Sequence, residues 1–211
     1  MKSSAEKKQI VKHPEVFFET LLLTGHLKNF FPELVKLVGV KQAHHEEDAF
    51  EHVMLSLKEI TSRKMLNAEK FAMLLHDLGK GETPQDILPH HYDHEERSYK
   101  IAKDICNRWK VPYEYEKLAT WFALNHMRLH ETDTMVLGKV IRMAEFIVKN
   151  NFDVETIIHM SESDSQGRYQ LTWEPLRNAI MVIKNVKADD IVAKGFTGKV
   201  VGELLHQKRV E

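Results

Sequence analysis

The residues with the clearest chemical potential in this chain are histidines. The chain of 211 residues contains 13 of them, and seven lie between His44 and His94. His76 is followed directly by Asp77 at the end of an apolar segment, and His52 lies 24 residues earlier. Imidazole nitrogens and carboxylate oxygens together suit Mn, Fe, Co, Ni or Zn, and Mg less well. This combination predicts a divalent metal site.

The elements that must position these residues are helices. Apolar side chains recur at helical spacing, as at Phe50, Val53, Met54 and Leu57, and no stretch alternates strictly enough to predict a strand. His52 lies one position off this apolar stripe, where a side chain can point into a pocket between helices. We therefore expect an all-α bundle, in which ligands converge from facing helices.

Several helix boundaries can be predicted from the same periodicity and from the glycines and prolines between periodic segments. One helix should follow Pro14 and stop at Gly25, and others should lie near 27–38, 153–163 and 174–185. A loop is expected over 79–92. The tail should hold one more short helix, with Thr197 as its expected N-cap.

Composition excludes several other classes of protein. Lys and Arg number 30 against 31 Asp and Glu, so the formal net charge is −1 and no global basic field exists for nucleic acid or anionic membrane. The single cysteine, Cys106, excludes an internal disulfide and a cysteine-based zinc site. No apolar run is long enough to span a bilayer, and no signal-peptide core follows the N-terminus. We expect a cytoplasmic protein with no membrane partner.

The order His52, then His76-Asp77, resembles the signature of the HD-domain metal-dependent phosphohydrolases. Over roughly residues 14–209 the chain is also similar to the C-terminal HD half of bacterial CCA-adding tRNA nucleotidyltransferases. The resemblance implies an all-α HD-domain helical bundle with additional C-terminal helices. The segments that carry it are 76–84, 88–95, 17–21, 31–34, 161–164, 167–168, 195–198 and 203–204.

The resemblance also implies a division of the chain into three segments. Residues 1–45 would be an N-terminal helical segment that packs on the HD core, 46–150 the HD domain, and 151–211 a C-terminal extension resembling a tRNA-contacting body. The nucleotidyltransferase head of that family, with its glycine-rich loop and paired carboxylates, has no counterpart before Phe17. We therefore do not expect CCA addition by this chain alone.

The family pattern implies His52, His76 and Asp77 as ligands of a first divalent cation, which would be Mn, Co, Ni, Fe or Mg. A final Asp ligand is expected after an Ala on a later helix. Ala144 is followed instead by Glu145, which is one methylene longer and can still bind a metal. Glu145 is therefore the fourth candidate ligand, with a solvated position on a helix rim as the alternative.

Two more histidines and two cations are candidates for the same site. His94 and His126 match positions that bind a second ion in two-metal HD proteins, so they could bind a second metal or contact phosphate. An inward His126 could equally be satisfied by a carboxylate or a carbonyl. Lys80 could neutralise a substrate phosphate or simply complement a helix dipole. Arg97 could contact phosphate or lie on the surface.

The remaining histidines of this region are expected at the periphery of the site. His44 and His45 would be outer contacts or part of a solvated turn. Rim positions are expected for His90, His91 and His130.

The implied activity is hydrolysis of phosphomonoesters, 2′-nucleotides or 2′,3′-cyclic phosphodiesters, on nucleotides or RNA ends, by a metal-activated water. Asp77 would bridge the metal and the water, and Lys80 would assist. One alternative is a tRNA-binding module or a partner subunit of a separate nucleotidyltransferase. Residues 184–211 carry six basic and four acidic residues, a net +2, which predicts only weak, salt-sensitive tRNA binding. Another alternative is a scaffold whose site has decayed.

Overall fold

The computed structural model describes residues 12–43, 48–168 and 171–211, and these residues form helices and connecting segments with no strand. The expected all-α class is confirmed. The helices are α1 (Pro14–Leu23), α2 (Leu27–Phe30), α3 (Pro32–Val35), α4 (Ala49–Ser62), α5 (Asn67–Leu75), α6 (His94–Trp109), α7 (Tyr113–Leu129), α8 (Leu137–Lys149), α9 (Val154–Ser165), α10 (Glu174–Asn185), α11 (Asp189–Ala193) and α12 (Lys199–Val210), with 3-10 turns at Leu78–Glu82 and Gln85–Ile87.

The contacts divide the chain into two compact units. The first holds the described residues up to Met127 together with His159–Arg168. The second holds Arg128–Ile158 and the described residues from 171 to Glu211. This division falls within α7 and α9 rather than near residues 45 and 150, and the three-segment organisation implied by the family stays a prediction.

In the first unit, α4 presents a buried face that includes polar side chains. The carboxylate of Asp48 accepts a hydrogen bond from the backbone N–H of Glu51 at 2.8 Å and so caps the start of this helix. On α4 the apolar residues Val53 and Leu57 are buried, and His52, which directly precedes Val53, is buried with them. Helix α5 packs against α4. The imidazole of His52 is therefore directed into the interior.

A close backbone approach joins the end of α5 to the start of α6. The 3-10 turn at Leu78–Glu82 packs against α6, and the N–H of Gly79 donates a hydrogen bond to Ser98 Oγ at 2.8 Å. A Cβ atom on Gly79 would collide with the backbone of His94 and Ser98. Only glycine permits this spacing, which places His76 and Asp77 beside the first residue of α6.

The second unit is built on the pairing of α8 with α10, and α12 also packs on α8. Helix α8 buries Val140, Ala144 and Ile147 at helical spacing. Arg177 of α10 forms two bonds of 2.8 Å with the carboxylate of Glu155. This bidentate pair adds geometric specificity to the apolar packing.

Two local predictions need correction. The single helix expected near 27–38 is broken at Pro32, because proline has no N–H to donate and instead begins a new short helix. The expected N-cap at Thr197 is wrong. The residue before α12 is Gly198, with φ of 60° and no side-chain cap, and the tail holds α11 as well as α12.

Within the described ranges, no helix combines the length and the apolar character needed to cross a bilayer.

The contact at Gly79 can be tested by substitution. We expect Gly79→Ala to lower the free energy of unfolding by about 1–3 kcal/mol, because backbone atoms must move to admit the methyl group. Gly202→Ala is the matched control. It lies inside α12 with open space around it, so alanine should stabilise by about 0.5–1 kcal/mol. Thermal unfolding followed by circular dichroism measures both, and an unchanged midpoint for Gly79→Ala would contradict the close approach.

Candidate metal centre

Six buried imidazole and carboxylate groups converge in the first unit. None of them is more than 5% exposed. They come from α4, the junction after α5, the first turn of α6, α7 and the last turn of α9. The members are His52, His76, Asp77, His94, His126 and Asp164.

One half of this cluster is organised around two carboxylate oxygens. Asp164 Oδ1 lies 3.0 Å from His52 Nε2 and 3.0 Å from His76 Nε2. Asp77 Oδ2 lies 3.4 Å from His52 Nε2 and 3.3 Å from His76 Nε2. With metal–ligand bonds of about 2.0–2.2 Å, neighbouring ligand atoms around one ion lie ~2.8–3.6 Å apart. The distances from each carboxylate oxygen to the two imidazole nitrogens are therefore those of neighbouring ligands to one cation, and His52, His76 and Asp164 have ligand atoms that all lie close to one another.

The other half of the cluster faces the second oxygen of Asp77. Asp77 Oδ1 lies 3.3 Å from His94 Nε2 and 3.4 Å from His126 Nε2. The two imidazole nitrogens lie 3.1 Å apart. The carboxylate of Asp77 thus lies between two pairs of histidines, and each of its oxygens faces a different pair.

Three of the histidines are oriented by their own backbone. The Nδ1 atoms of His76, His94 and His126 lie 2.7, 2.8 and 3.0 Å from carbonyl oxygens three residues earlier in the chain. A carbonyl only accepts, so Nδ1 must carry the proton and donate. In the neutral ring this leaves the lone pair on Nε2, the atom that faces the centre. Metal-binding histidines are oriented by the same kind of outer hydrogen bond.

Lys80 is a buried cation within the same cluster. Its Nζ atom lies 2.6 Å from Asp77 Oδ2 and donates a hydrogen bond of 2.7 Å to Gln42 Oε1. Lys80 lies in the 3-10 turn after Asp77 and is only 8% exposed. It is therefore held as the counter-charge of Asp77 rather than at a solvated helix end.

The donor set fits a divalent cation. Both oxygens of Asp77 are buried, and among the described residues neither has a hydrogen-bond partner of good geometry, although imidazoles and Lys80 surround them. A buried carboxylate left in this state is costly unless another cation satisfies it. Nitrogen and oxygen donors at this spacing suit Mn, Fe, Co, Ni or Zn.

The electrostatics of the cluster separate its members into charged and neutral groups. Burial opposes charge on His76, but the carboxylates of Asp77 and Asp164 outweigh it and raise the pKa of His76 to about 10. Burial likewise opposes charge on Asp77, but Lys80 and His76 hold its pKa well below the ordinary value. Burial lowers the pKa of His52 and of His126. Both of these rings are therefore neutral at physiological pH and have a lone pair to offer.

Comparison with known families agrees with this geometry. A family model described as the HD domain matches residues 49–149. The chain contains an HD domain. HD domains bind divalent metals and are in general metal-dependent hydrolases, and the matched range includes His52, His76 and Asp77.

Relatives similar to this chain are named multifunctional CCA proteins. Those from Acinetobacter baumannii (strain AYE), Thioalkalivibrio sulfidiphilus and Polaromonas naphthalenivorans are 32%, 35% and 34% identical to it. Each alignment covers 94% of this chain. The chain spans about half the length of these relatives, 51%, 51% and 50% respectively. The predicted resemblance to the HD region of CCA-adding enzymes is confirmed.

The expectation that Glu145 is the fourth ligand stays a prediction, and the contacts of its carboxylate are with other residues. Glu145 lies in the second unit, where its carboxylate accepts a hydrogen bond of 2.7 Å from Arg209 Nη1 and lies 3.6 Å from His206 Nδ1. Among the described residues, two groups are able to hold a metal: one contains Asp164 with His52 and His76, the other contains Asp77 with His76 and His126, and neither contains Glu145. Asp164 lies 15 residues beyond the matched HD range, on α9.

A local signal for Asp164 was present in the sequence. Met160, Ser161 and Asp164 share one face of α9 at i, i+1 and i+4, and all three are buried. A carboxylate on a face of small and apolar residues is expected to point inward and to need a partner. The resemblance to the family includes residues 161–164, but the family pattern of an Asp after an Ala points to Glu145 instead.

The other residues considered from the sequence have structural partners. Arg97 donates to the carbonyl oxygens of Gly79 and Tyr92 and to Thr83 Oγ1, so it holds the loop together and does not project toward a phosphate. His91 lies 2.8 Å from Thr83 and 2.9 Å from the carbonyl oxygen of Lys41. The predictions for His44 and His45 lie outside the described residues. His90 stacks on Tyr92, and His130 is half-buried.

The raised pKa of His76 predicts a pH dependence of stability in the metal-free protein. The unfolded chain has a histidine pKa of about 6.5. Between that value and about 10 the folded protein holds the proton that the unfolded chain releases. The contribution of His76 to the free energy of unfolding is therefore complete below the lower value and falls as the pH rises toward the higher one. Urea unfolding with a chelator at pH 7 and pH 9, compared with His76→Gln, measures it. A difference between the two proteins that stays constant with pH would contradict the assignment.

Proposed function

We propose that this chain is a metal-dependent phosphohydrolase that cleaves phosphomonoesters or 2′,3′-cyclic phosphodiesters, with nucleotides or RNA ends as the substrate class. The observation that carries the proposal is the position of Asp77, whose two carboxylate oxygens face two separate sets of imidazole nitrogens. This arrangement can hold a cation on one side and leave a second polar position beside it. The presence of an HD domain supports the same reaction class.

His52, His76, Asp77 and Asp164 would hold the cation through Nε2 and carboxylate oxygens. The backbone carbonyl that holds Nδ1–H of His76 means that a metal would displace the other proton of this ring, on Nε2, and bind there. A divalent cation at this position would be Mn, Co, Ni, Fe or Mg, and it would polarise a phosphoryl oxygen and lower the pKa of a water molecule. Burial of all four side chains shields the ligand atoms from bulk solvent.

His94 and His126 would serve the substrate side of the site. Their Nε2 atoms lie within 3.4 Å of Asp77 Oδ1 and have no carbonyl partner of their own, because that role belongs to Nδ1. Their Nε2 lone pairs can bind a second cation, and donation to a phosphate oxygen would require a second proton on the ring. Lys80 offsets the negative charge of Asp77 and thereby reduces the repulsion that an approaching phosphate would meet.

The activity can be tested with 2′,3′-cyclic AMP and p-nitrophenyl phosphate in the presence of Mn²⁺, Co²⁺, Ni²⁺ or Mg²⁺. We expect metal-dependent turnover that falls more than about 100-fold in Asp77→Ala and in Asp164→Asn, since loss of a ligand should exceed the loss that removal of an outer contact causes. Calorimetric titration with Mn²⁺ should show the same loss of binding. Circular dichroism confirms that each variant is folded.

Glu145→Gln is the matched control for these variants. It removes one carboxylate charge from the chain, but at the pair with Arg209 rather than in the metal centre. Its turnover and Mn²⁺ affinity should equal those of the wild type. Wild-type rates in Asp77→Ala, or loss of Mn²⁺ binding in Glu145→Gln, would show that the metal centre has been wrongly assigned.

A second candidate function is tRNA binding, or work as a partner subunit of a separate nucleotidyltransferase. The match of 94% of the chain to multifunctional CCA proteins favours it. The basic residues of the tail are only partly available for this role. Lys208 pairs with Asp190 at 2.8 Å and Arg209 pairs with Glu145 at 2.7 Å, which leaves Lys184, Lys187, Lys194 and Lys199 exposed.

The expected tRNA affinity is therefore low and sensitive to salt, with a Kd of about 10⁻⁵ M or weaker at physiological ionic strength. An electrophoretic shift should appear at low salt and weaken in the double variant Lys194→Glu, Lys199→Glu. The double variant Lys58→Glu, Lys103→Glu, which alters exposed lysines of α4 and α6, controls for total charge. No shift at low salt would retire this candidate, and co-purification with a nucleotidyltransferase would favour the partner-subunit form.

A further inference from the structure

His52 is oriented differently from the other histidines of the metal centre. Those three donate Nδ1–H to a carbonyl oxygen three residues earlier in the chain, whereas His52 Nδ1 lies 3.3 Å from the side-chain amide nitrogen of Gln166. Its Nε2 atom lies 3.0 Å from Asp164 Oδ1. The Nδ1 atom of this ring therefore faces a side chain 114 residues away in the sequence.

Gln166 is itself well anchored. Its amide nitrogen also lies 3.4 Å from Ser56 Oγ and 3.5 Å from the carbonyl oxygen of His52, and its amide oxygen accepts a bond of 3.1 Å from Arg168 Nη2. Its backbone N–H donates to the carbonyl oxygen of Glu162 at 3.0 Å. Gln166 follows Asp164 by two residues, so one turn supplies both a candidate ligand and the amide that faces another.

We infer that Gln166 is a positioning residue for His52. Its amide selects the tautomer of the His52 ring in the metal-free protein and adapts to the tautomer that metal binding requires. The inference rests on the proposed function. The amide nitrogen donates to Nδ1, so the ring proton lies on Nε2 and is donated to Asp164. Ligation through Nε2 requires the proton on Nδ1 instead. When a metal binds, the proton on Nε2 leaves for solvent and a proton from solvent binds Nδ1. The charge of the ring is therefore unchanged.

The amide group is suited to this role because it carries a donor and an acceptor on one carbon. A half-turn about its last bond presents the oxygen to Nδ1–H in place of the nitrogen, and gives up the bond that the oxygen accepts from Arg168. A carboxylate at the same position could accept from Nδ1–H but could not donate to Nδ1. A methionine of similar length could do neither with comparable strength. Replacing Gln166 by a carboxylate or by methionine therefore distinguishes a role in orienting His52 from a role in filling space.

The test uses Gln166→Met, Gln166→Glu and the control Gln207→Met, which alters an exposed glutamine of α12. The first measurement is the ¹⁵N spectrum of the histidine rings in the metal-free protein, with the His52 signals assigned by their loss in His52→Gln. The wild type should show the Nε2–H tautomer of His52. Gln166→Met should lose this preference, and Gln166→Glu should shift the proton to Nδ1.

The second measurement is the affinity for Mn²⁺ by calorimetric titration. Gln166→Met should bind Mn²⁺ about 10–100-fold more weakly, as for other contacts that orient a ligand, while Gln166→Glu should bind at least as tightly as the wild type. The control should match the wild type. Equal weakening in Met and Glu variants with unchanged His52 signals would reveal a merely structural role and overturn the inference.

The two measurements keep the inference separate from the proposed function. If the wild type binds none of the four metals, the proposed function fails, but the tautomer of His52 in the three variants still decides the role of Gln166. If Mn²⁺ binds and both measurements are insensitive to Gln166, the inference alone is wrong.

Discussion

The structure of the metal centre depends on one buried carboxylate. Asp77 is 1% exposed and sits among four imidazoles and one ammonium group. Moving a carboxylate from water into a protein interior costs several kcal/mol even after relaxation, and nearby charges must offset this. Lys80 offsets part of it, and Gln42 in turn holds Lys80. The surrounding helices are thus arranged to keep a charge in a place that stability alone would not favour.

The most predictable part of this arrangement was the part encoded locally. His52, His76 and Asp77 stood out because their order and spacing form a specific pattern, and the structure brings them together. His94 and His126 also converge on Asp77, as the resemblance to two-metal HD proteins suggested. Their roles as ligands remain proposals, but their proximity is a matter of geometry that helical periodicity and family pattern together could anticipate.

What the sequence could not reveal were interactions between distant segments. The helical spacing of Ile141, Glu145 and Val148 predicted an inward position for Glu145, and nothing near it in the sequence indicates that Arg209, 64 residues later, neutralises it. Asp164 owes its position to the packing of the last turn of α9 in the first unit. Lys80 was recognisable as a cation, but its commitment to Gln42 and Asp77 depends on a loop 38 residues earlier. Each failure concerns a partner that local propensity does not specify.

The backbone contact at Gly79 has a bearing on how such a centre can change its metal. The histidine and aspartate after α5 are held against the start of α6 by main-chain atoms, with no side chain between them to lengthen or shorten. The separation between the two halves of the centre is therefore insensitive to substitution at the surrounding side chains. A change of metal preference in this protein would therefore require different ligand residues, because the backbone contact fixes the distance between the ligands.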